Sequence, residues 1–224
     1  MALTLLFDLD GTLVDTDPLH FEAFSILLRE HGKPAIDLEF YKTHIMGFGH
    51  VEIFSMLFPE RDRGSYQELG DRKEAMFREL VRDLDPKPGL LELLDWANDK
   101  SVRCGVVTNA PRENAMLMLG ALRLGDRFET LVFGEELPHG KPHPMPYLTG
   151  LEKLEGAAHA ALAFEDSLSG VRSAAGAGIY TIGVRSSLSE SALRNAGASH
   201  TIEDFRDGEL WSEIHRHMNG GRAQ

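Results

Sequence analysis

Five apolar runs of strand length recur along the chain at wide intervals: TLLFDLD (4–10), VRCGVVT (102–108), TLVF (130–133), ALAFED (161–166) and IYTIGV (179–184). Several are apolar throughout instead of alternating with polar residues, which is the pattern of strands covered on both faces. Helical patterns separate the later runs: GLLELLDWANDK, ENAMLMLGAL, PYLTGLEKLEG and SGVRSAAGAG. Strands alternating with helices predict an α/β fold, a doubly wound, Rossmann-like parallel sheet. Gly and Pro punctuate the joins, as at Gly125, Pro138, Gly140, Pro142 and Gly178.

One stretch breaks this rhythm. Between Asp15 and Asp85 only helical patterns occur. Asp17-Pro18 reads as the N-cap and first residue of the first helix, which Gly32 closes. Further helices are expected over residues 38–45, 50–58 and 65–84, and Pro86, Pro88 and Gly89 mark the return. The predicted organisation is an α/β core of residues 1–14 and 87–224 and an inserted all-helical subdomain of residues 15–86. The final NGGRAQ is expected to fray.

Charge narrows the partners. A formal net charge of -12 argues against nucleic acid and against an anionic membrane surface. The single cysteine, Cys104, sits among Val102, Gly105, Val106 and Val107 and reads as a buried core thiol. The first apolar run is too short for a signal peptide, and no stretch approaches the roughly 20 apolar residues of a membrane span. A cytoplasmic protein is expected.

In open parallel sheets, ligands sit beyond the carboxyl ends of the strands. There the first run delivers Asp8 and Asp10, the second Thr108 and Asn109, and the fourth Glu165 and Asp166. The loop GKPHP supplies Lys141. Converging carboxylates repel, by roughly 4 kcal/mol per pair about 4 Å apart at an effective dielectric near 20. A single lysine does not compensate four of them. An all-oxygen donor set without a Cys/His cluster favours a hard divalent cation, magnesium first. Lys141, the Thr108 hydroxyl and the Asn109 amide add donors for phosphoryl oxygens, so the set suits phosphoryl transfer. His139 and His143 have a spacing that invites zinc, but no cysteine stands near them.

DLDGTLVDT, VVTNAP, GKPHP and FEDSLSG resemble, in order and spacing, the four motifs of the haloacid dehalogenase superfamily. Within it the chain is similar to the beta-phosphoglucomutase-like phosphatases, whose helical cap follows the first motif. The resemblance implies that Asp8 is the nucleophile, forming an aspartyl-phosphate, and that Asp10 is the general acid and base. It implies magnesium held by Asp8, the Asp10 main-chain carbonyl and Asp166, with Glu165 binding directly or through water. Thr108, Asn109 and Lys141 would hold the phosphoryl group, Gly11 would permit the turn, and Thr12 would orient Asp10. Thr16 and His20 resemble a pair that couples the cap to the general acid. The loop MGFGHVE, with Gly47 and His50, stands where such proteins present a specificity loop. Met145 occupies a position where relatives usually carry an aspartate.

The expected activity is therefore a magnesium-dependent phosphatase of a small organic phosphomonoester, acting as a monomer. A phosphomutase is the alternative. Mutases carry an arginine in the specificity loop, and its absence from residues 48–51 favours hydrolysis. A dehalogenase needs neither Asp10 nor the Glu165-Asp166 pair. A catalytically inactive phosphate-binding protein is the second alternative, but no charged motif is missing. Arg72 and Lys73, in a highly charged helix, are expected to be solvated.

Overall fold

The computed structural model of the chain describes residues 3–218. The expected fraying of NGGRAQ lies outside them. The chain divides into two compact units, one holding the residues up to Asp15 and from Asp83 onward, the other Thr16–Arg82. The first element is β1 (Thr4–Phe7), and the helical unit then holds α1 (Asp17–Glu30), α2 (Leu38–His44), α3 (His50–Leu57) and α4 (Tyr66–Leu80). The chain continues through α5 (Leu90–Asp99), β2 (Arg103–Thr108), α6 (Arg112–Ala121), β3 (Thr130–Phe133), α7 (Met145–Lys153) and β4 (Ala161–Glu165). It ends with α8 (Leu168–Gly176), β5 (Tyr180–Val184), α9 (Glu190–Ala196), β6 (His200–Ile202) and α10 (Gly208–Met218).

The strands form one parallel sheet in the order β3-β2-β1-β4-β5-β6. β1 lies at its centre, and its four residues are buried on both faces, which is why the run reads as apolar throughout. On one face Leu6 packs with Val107, Ala163, and Tyr147 and Leu151 of α7. On the other, Phe7 stacks on its register partner Phe164, 4.8 Å between ring centroids, with Phe128 and Phe205 against it. Cys104 is buried in β2, and burial pushes its thiol up to about 12. No helix among the described residues is long and apolar enough to cross a membrane.

In the helical unit, α1 and α4 bury Ala23, Phe24 and Leu27 together with Leu69, Met76 and Phe77. The N-cap of α1 is Thr16, not Asp17. The Thr16 carbonyl accepts from Leu19 N and His20 N, both at 3.0 Å, and Asp17 already lies in the helix. Pro18, lacking an N–H, fits this first turn without loss. Gly32, at φ 63°, closes the helix as expected.

The last part of the sheet went unread in the sequence. β6 is a three-residue edge strand, HTI, too short to show a period. The helix α10 buries Leu210, Glu213 and Ile214, and its polar composition hides that face.

Candidate active site

The strand order reverses between β1 and β4, so the ends of these neighbours frame the switch point of the sheet. Asp8 is the first residue beyond β1, and its N–H still donates to Phe164 O at 2.9 Å. The chain then turns. Gly11, at φ 75°, donates to Val14 O at 2.7 Å, and Leu13 N donates to Leu9 O at 2.9 Å. A side chain at Gly11 would face two obstacles, the left-handed backbone and a Cβ that overlaps Asp166 Oδ2. Asp166 therefore rests directly on the turn that follows the nucleophile candidate. Ser186 Oγ, just past β5, donates to Asp166 Oδ2 at 3.2 Å.

Lys141 organises the centre. Its Nζ donates to Asp8 Oδ1 at 2.5 Å, to Glu165 Oε1 at 2.6 Å and to Val107 O at 2.7 Å. An ammonium has three hydrogens, and all three are used. The Lys141 side chain is 2% exposed and that of Glu165 0%, so the cluster is interior. Burial pushes the Asp8 carboxyl up to about 8, with Lys141 opposing and Glu165 adding to the rise. The Lys141 pKa is raised, because Asp8 and Glu165 outweigh burial. Both directions have one meaning: a single cation faces two buried carboxylates, and one negative charge is left over.

Asp8, Glu165 and Asp166 each offer an oxygen, all within 4.8 Å of one another. This hard, all-oxygen donor set with surplus negative charge fits a divalent cation of the magnesium type. The Asp10 side chain is not among the three, although its charge adds to the rise at Asp8.

On the other flank, Thr108 is buried and its Oγ1 accepts from Ala110 N at 2.9 Å, which leaves the hydroxyl hydrogen to donate. The Asn109 amide clasps the lysine loop: Nδ2 donates to Lys141 O at 3.1 Å and Oδ1 accepts from Lys141 N at 3.0 Å. Gly134 and Gly140 leave room for that amide, and a Cβ at either would crowd Asn109 Oδ1. Thr12 departs from expectation. It is fully enclosed and its Oγ1 has no hydrogen-bond partner, so it does not orient Asp10 by a hydrogen bond.

Thr16, His20, Gly47 and His50 belong to the helical unit. There His20 Nδ1 lies 2.7 Å from Lys73 Nζ, and the His20 ring stacks on Phe77 at 4.1 Å. Lys73 also donates to Glu74 Oε1 at 2.9 Å, and His50 Nε2 lies 3.2 Å from that oxygen. Gly47 sits at φ 80° with open space about it. Arg72 is exposed and paired with Glu30. Lys73, expected to be solvated, is 3% exposed, with the Phe24 and Phe77 rings beside its ammonium. Its counter-ion Glu74 and the two rings make that burial tolerable. The sequence reading missed this pair, and it missed Tyr147, whose hydroxyl donates to Glu165 Oε1 at 2.7 Å. No local pattern singles Tyr147 out, since its contact with Glu165 is made across 18 residues by the packing of α7 on the sheet.

Residues 5–184 match the family described as haloacid dehalogenase-like hydrolase. A phosphorylated carbohydrates phosphatase of Thermotoga maritima is 35% identical over 201 residues, covering 87% of this chain and 91% of that one. A validoxylamine A 7'-phosphate phosphatase of Streptomyces hygroscopicus subsp. limoneus is 31% identical over 210 residues, 88% and 92% of the two chains. Among solved structures, CbbY from Rhodobacter sphaeroides in complex with phosphate superposes with a TM-score of 0.80. It is 26% identical and is matched over 92% of this chain and 96% of its own.

Proposed function

The chain belongs to the haloacid dehalogenase-like hydrolase family and is a phosphoric monoester hydrolase, and on that premise we propose a magnesium-dependent phosphatase working through an aspartyl-phosphate on Asp8. Its substrate would be a small organic phosphomonoester, a sugar phosphate or a similar metabolite. The relatives named for a phosphorylated carbohydrate and for validoxylamine 7'-phosphate support that class. The observation that carries the reading is the buried Asp8–Lys141–Glu165 triple beside Asp166, at the switch point of the sheet.

In the first step an Asp8 carboxylate oxygen attacks phosphorus, the phosphorus–oxygen ester bond breaks, and Asp10 gives its proton to the departing alkoxide. In the second, Asp10 takes a proton from water, the water oxygen attacks phosphorus, and the bond to Asp8 breaks to release inorganic phosphate. Asp8, the Asp10 main-chain carbonyl, Glu165 and Asp166 would hold magnesium, which when bound neutralises charge on the phosphoryl oxygens. The Thr108 hydroxyl and the second Asn109 amide hydrogen are the donors left for those oxygens. Lys141, with all three hydrogens engaged, acts as a counter-charge that aims Asp8. The same reading takes residues 15–86 as a helical cap, with 1–14 and 87–224 as the catalytic core. It assigns Thr16, His20, Gly47 and His50 to substrate binding.

Phosphate release from a panel of hexose phosphates and phosphoglycolate, with magnesium and with a chelator, tests the proposal. Asp8→Asn should reduce magnesium-dependent release by about 10³-fold or more. Full activity in that variant would sink the covalent route.

A further inference from the structure

Tyr147 lies in the first turn of α7 and is fully buried. The oxygen that accepts its hydroxyl, Glu165 Oε1, is the one that also accepts from Lys141 Nζ. The ring faces the Lys141 ammonium, 5.3 Å from Nζ to centroid. One side chain thus touches both members of the ion pair, through a charge-assisted hydrogen bond on one side and a π face on the other. The second oxygen, Glu165 Oε2, accepts only a long 3.4 Å contact from Ser167 Oγ among the described residues. Gly170 lies against one face of the carboxylate, and a Cβ there would overlap both oxygens.

We propose that Tyr147 is a positioning residue of the cation site: by sharing Oε1 with Lys141 it fixes Glu165 so that Oε2 is kept for the divalent ion or its water. The inference rests on the magnesium-dependent reading above. Without the hydroxyl, Oε1 keeps one bond instead of two. The carboxylate can then turn both oxygens toward Lys141, which withdraws Oε2 from the ion. Partners that orient metal-binding groups from behind commonly matter tenfold or more to metal affinity.

Tyr147→Phe isolates the effect, because it keeps the buried ring and its face toward Lys141 and removes one hydroxyl. Magnesium binding to the full chain, read by calorimetry and by the magnesium-dependent rise in Tm without substrate, should weaken about tenfold. The half-saturating magnesium concentration for turnover should rise in parallel, while kcat at saturating magnesium changes less. In a Glu165→Gln background the same substitution should have no further effect on binding. Unchanged magnesium affinity in Tyr147→Phe, or an equal loss in the Glu165→Gln background, overturns the role. Either result leaves the phosphatase reading standing. That reading fails on a different one, a wild-type chain that neither binds magnesium nor loses turnover in Asp8→Asn.

Discussion

Replacing Lys141 by methionine should cost the fold more than any single surface ion pair could. The Nζ distances of 2.5 Å and 2.6 Å place an Asp8 oxygen and a Glu165 oxygen no more than about 5 Å apart. With the cation gone, two charges at about 5 Å and an effective dielectric near 20 would repel by about 3 kcal/mol, which drives Asp8, already raised to about 8, further toward its protonated form. Val107 O loses a bond at the same time. Removing one member of a buried pair costs about 3–5 kcal/mol in general, which agrees with that figure. At about 2–4 °C per kcal/mol for a chain of this size, Tm should fall by roughly 10 °C in the presence of a chelator. Differential scanning calorimetry of wild type and Lys141→Met, each with EDTA and with excess magnesium, is the assay. Magnesium should restore part of the loss, and adding Glu165→Gln to Lys141→Met should restore most of it. A Tm within about 2 °C of wild type in EDTA would refute the reasoning, because it would show that the two carboxylates never needed the lysine.

Two further outcomes follow from buried groups. Burial alone would raise the Glu74 carboxyl, but His50 and Lys73 outweigh it and hold the pKa below the ordinary 4.5. A depressed carboxyl contributes stability that is present above its unfolded value and lost as pH falls through the folded one. Glu74→Gln should therefore destabilise the helical unit near neutral pH by about 3 kcal/mol, leaving Lys73 without its counter-ion. It should also flatten the decline in stability below pH about 4.5, read by urea unfolding at several pH values. Cys104, raised to about 12 by burial, should not react with a disulfide reagent at pH about 8 until denaturant is added. Fast labelling of the native chain would contradict its place in β2.

Much of this architecture was legible because it rests on period and punctuation. The apolar runs at 4–10 and 161–166 mark the two central strands, buried on both faces, and such strands have no polar alternation to confuse with a helix. The residues that end those runs, Asp8, Glu165 and Asp166, lie together because parallel strands deliver their carboxyl ends to one edge. What stayed hidden depends on packing that no window of sequence carries. Lys73 sits in YQELGDRKEAMFREL, where a charged residue looks solvated until Phe24, from a helix 49 residues earlier, closes over it. Thr12 has a hydroxyl aimed at no partner, although the resemblance implied one in Asp10. Tyr147 reads as an ordinary amphipathic position in a helix, and only the register of β4 brings Glu165 to its hydroxyl.

Where the chain leaves the core and where it comes back are fastened to each other. Val14 bridges Pro86, and Lys87 N donates to Leu13 O at 2.8 Å. A segment whose two ends are already joined places almost no demand on the scaffold that carries it. The intervening residues can be lengthened, shortened or exchanged while Asp8 stays at its post, since the turn that holds it is closed by Gly11 and Val14 on the near side of the fastening. The strand ends are thereby insulated from the insert: a loop exchanged within the helical unit leaves the Asp8 turn its own closing hydrogen bonds.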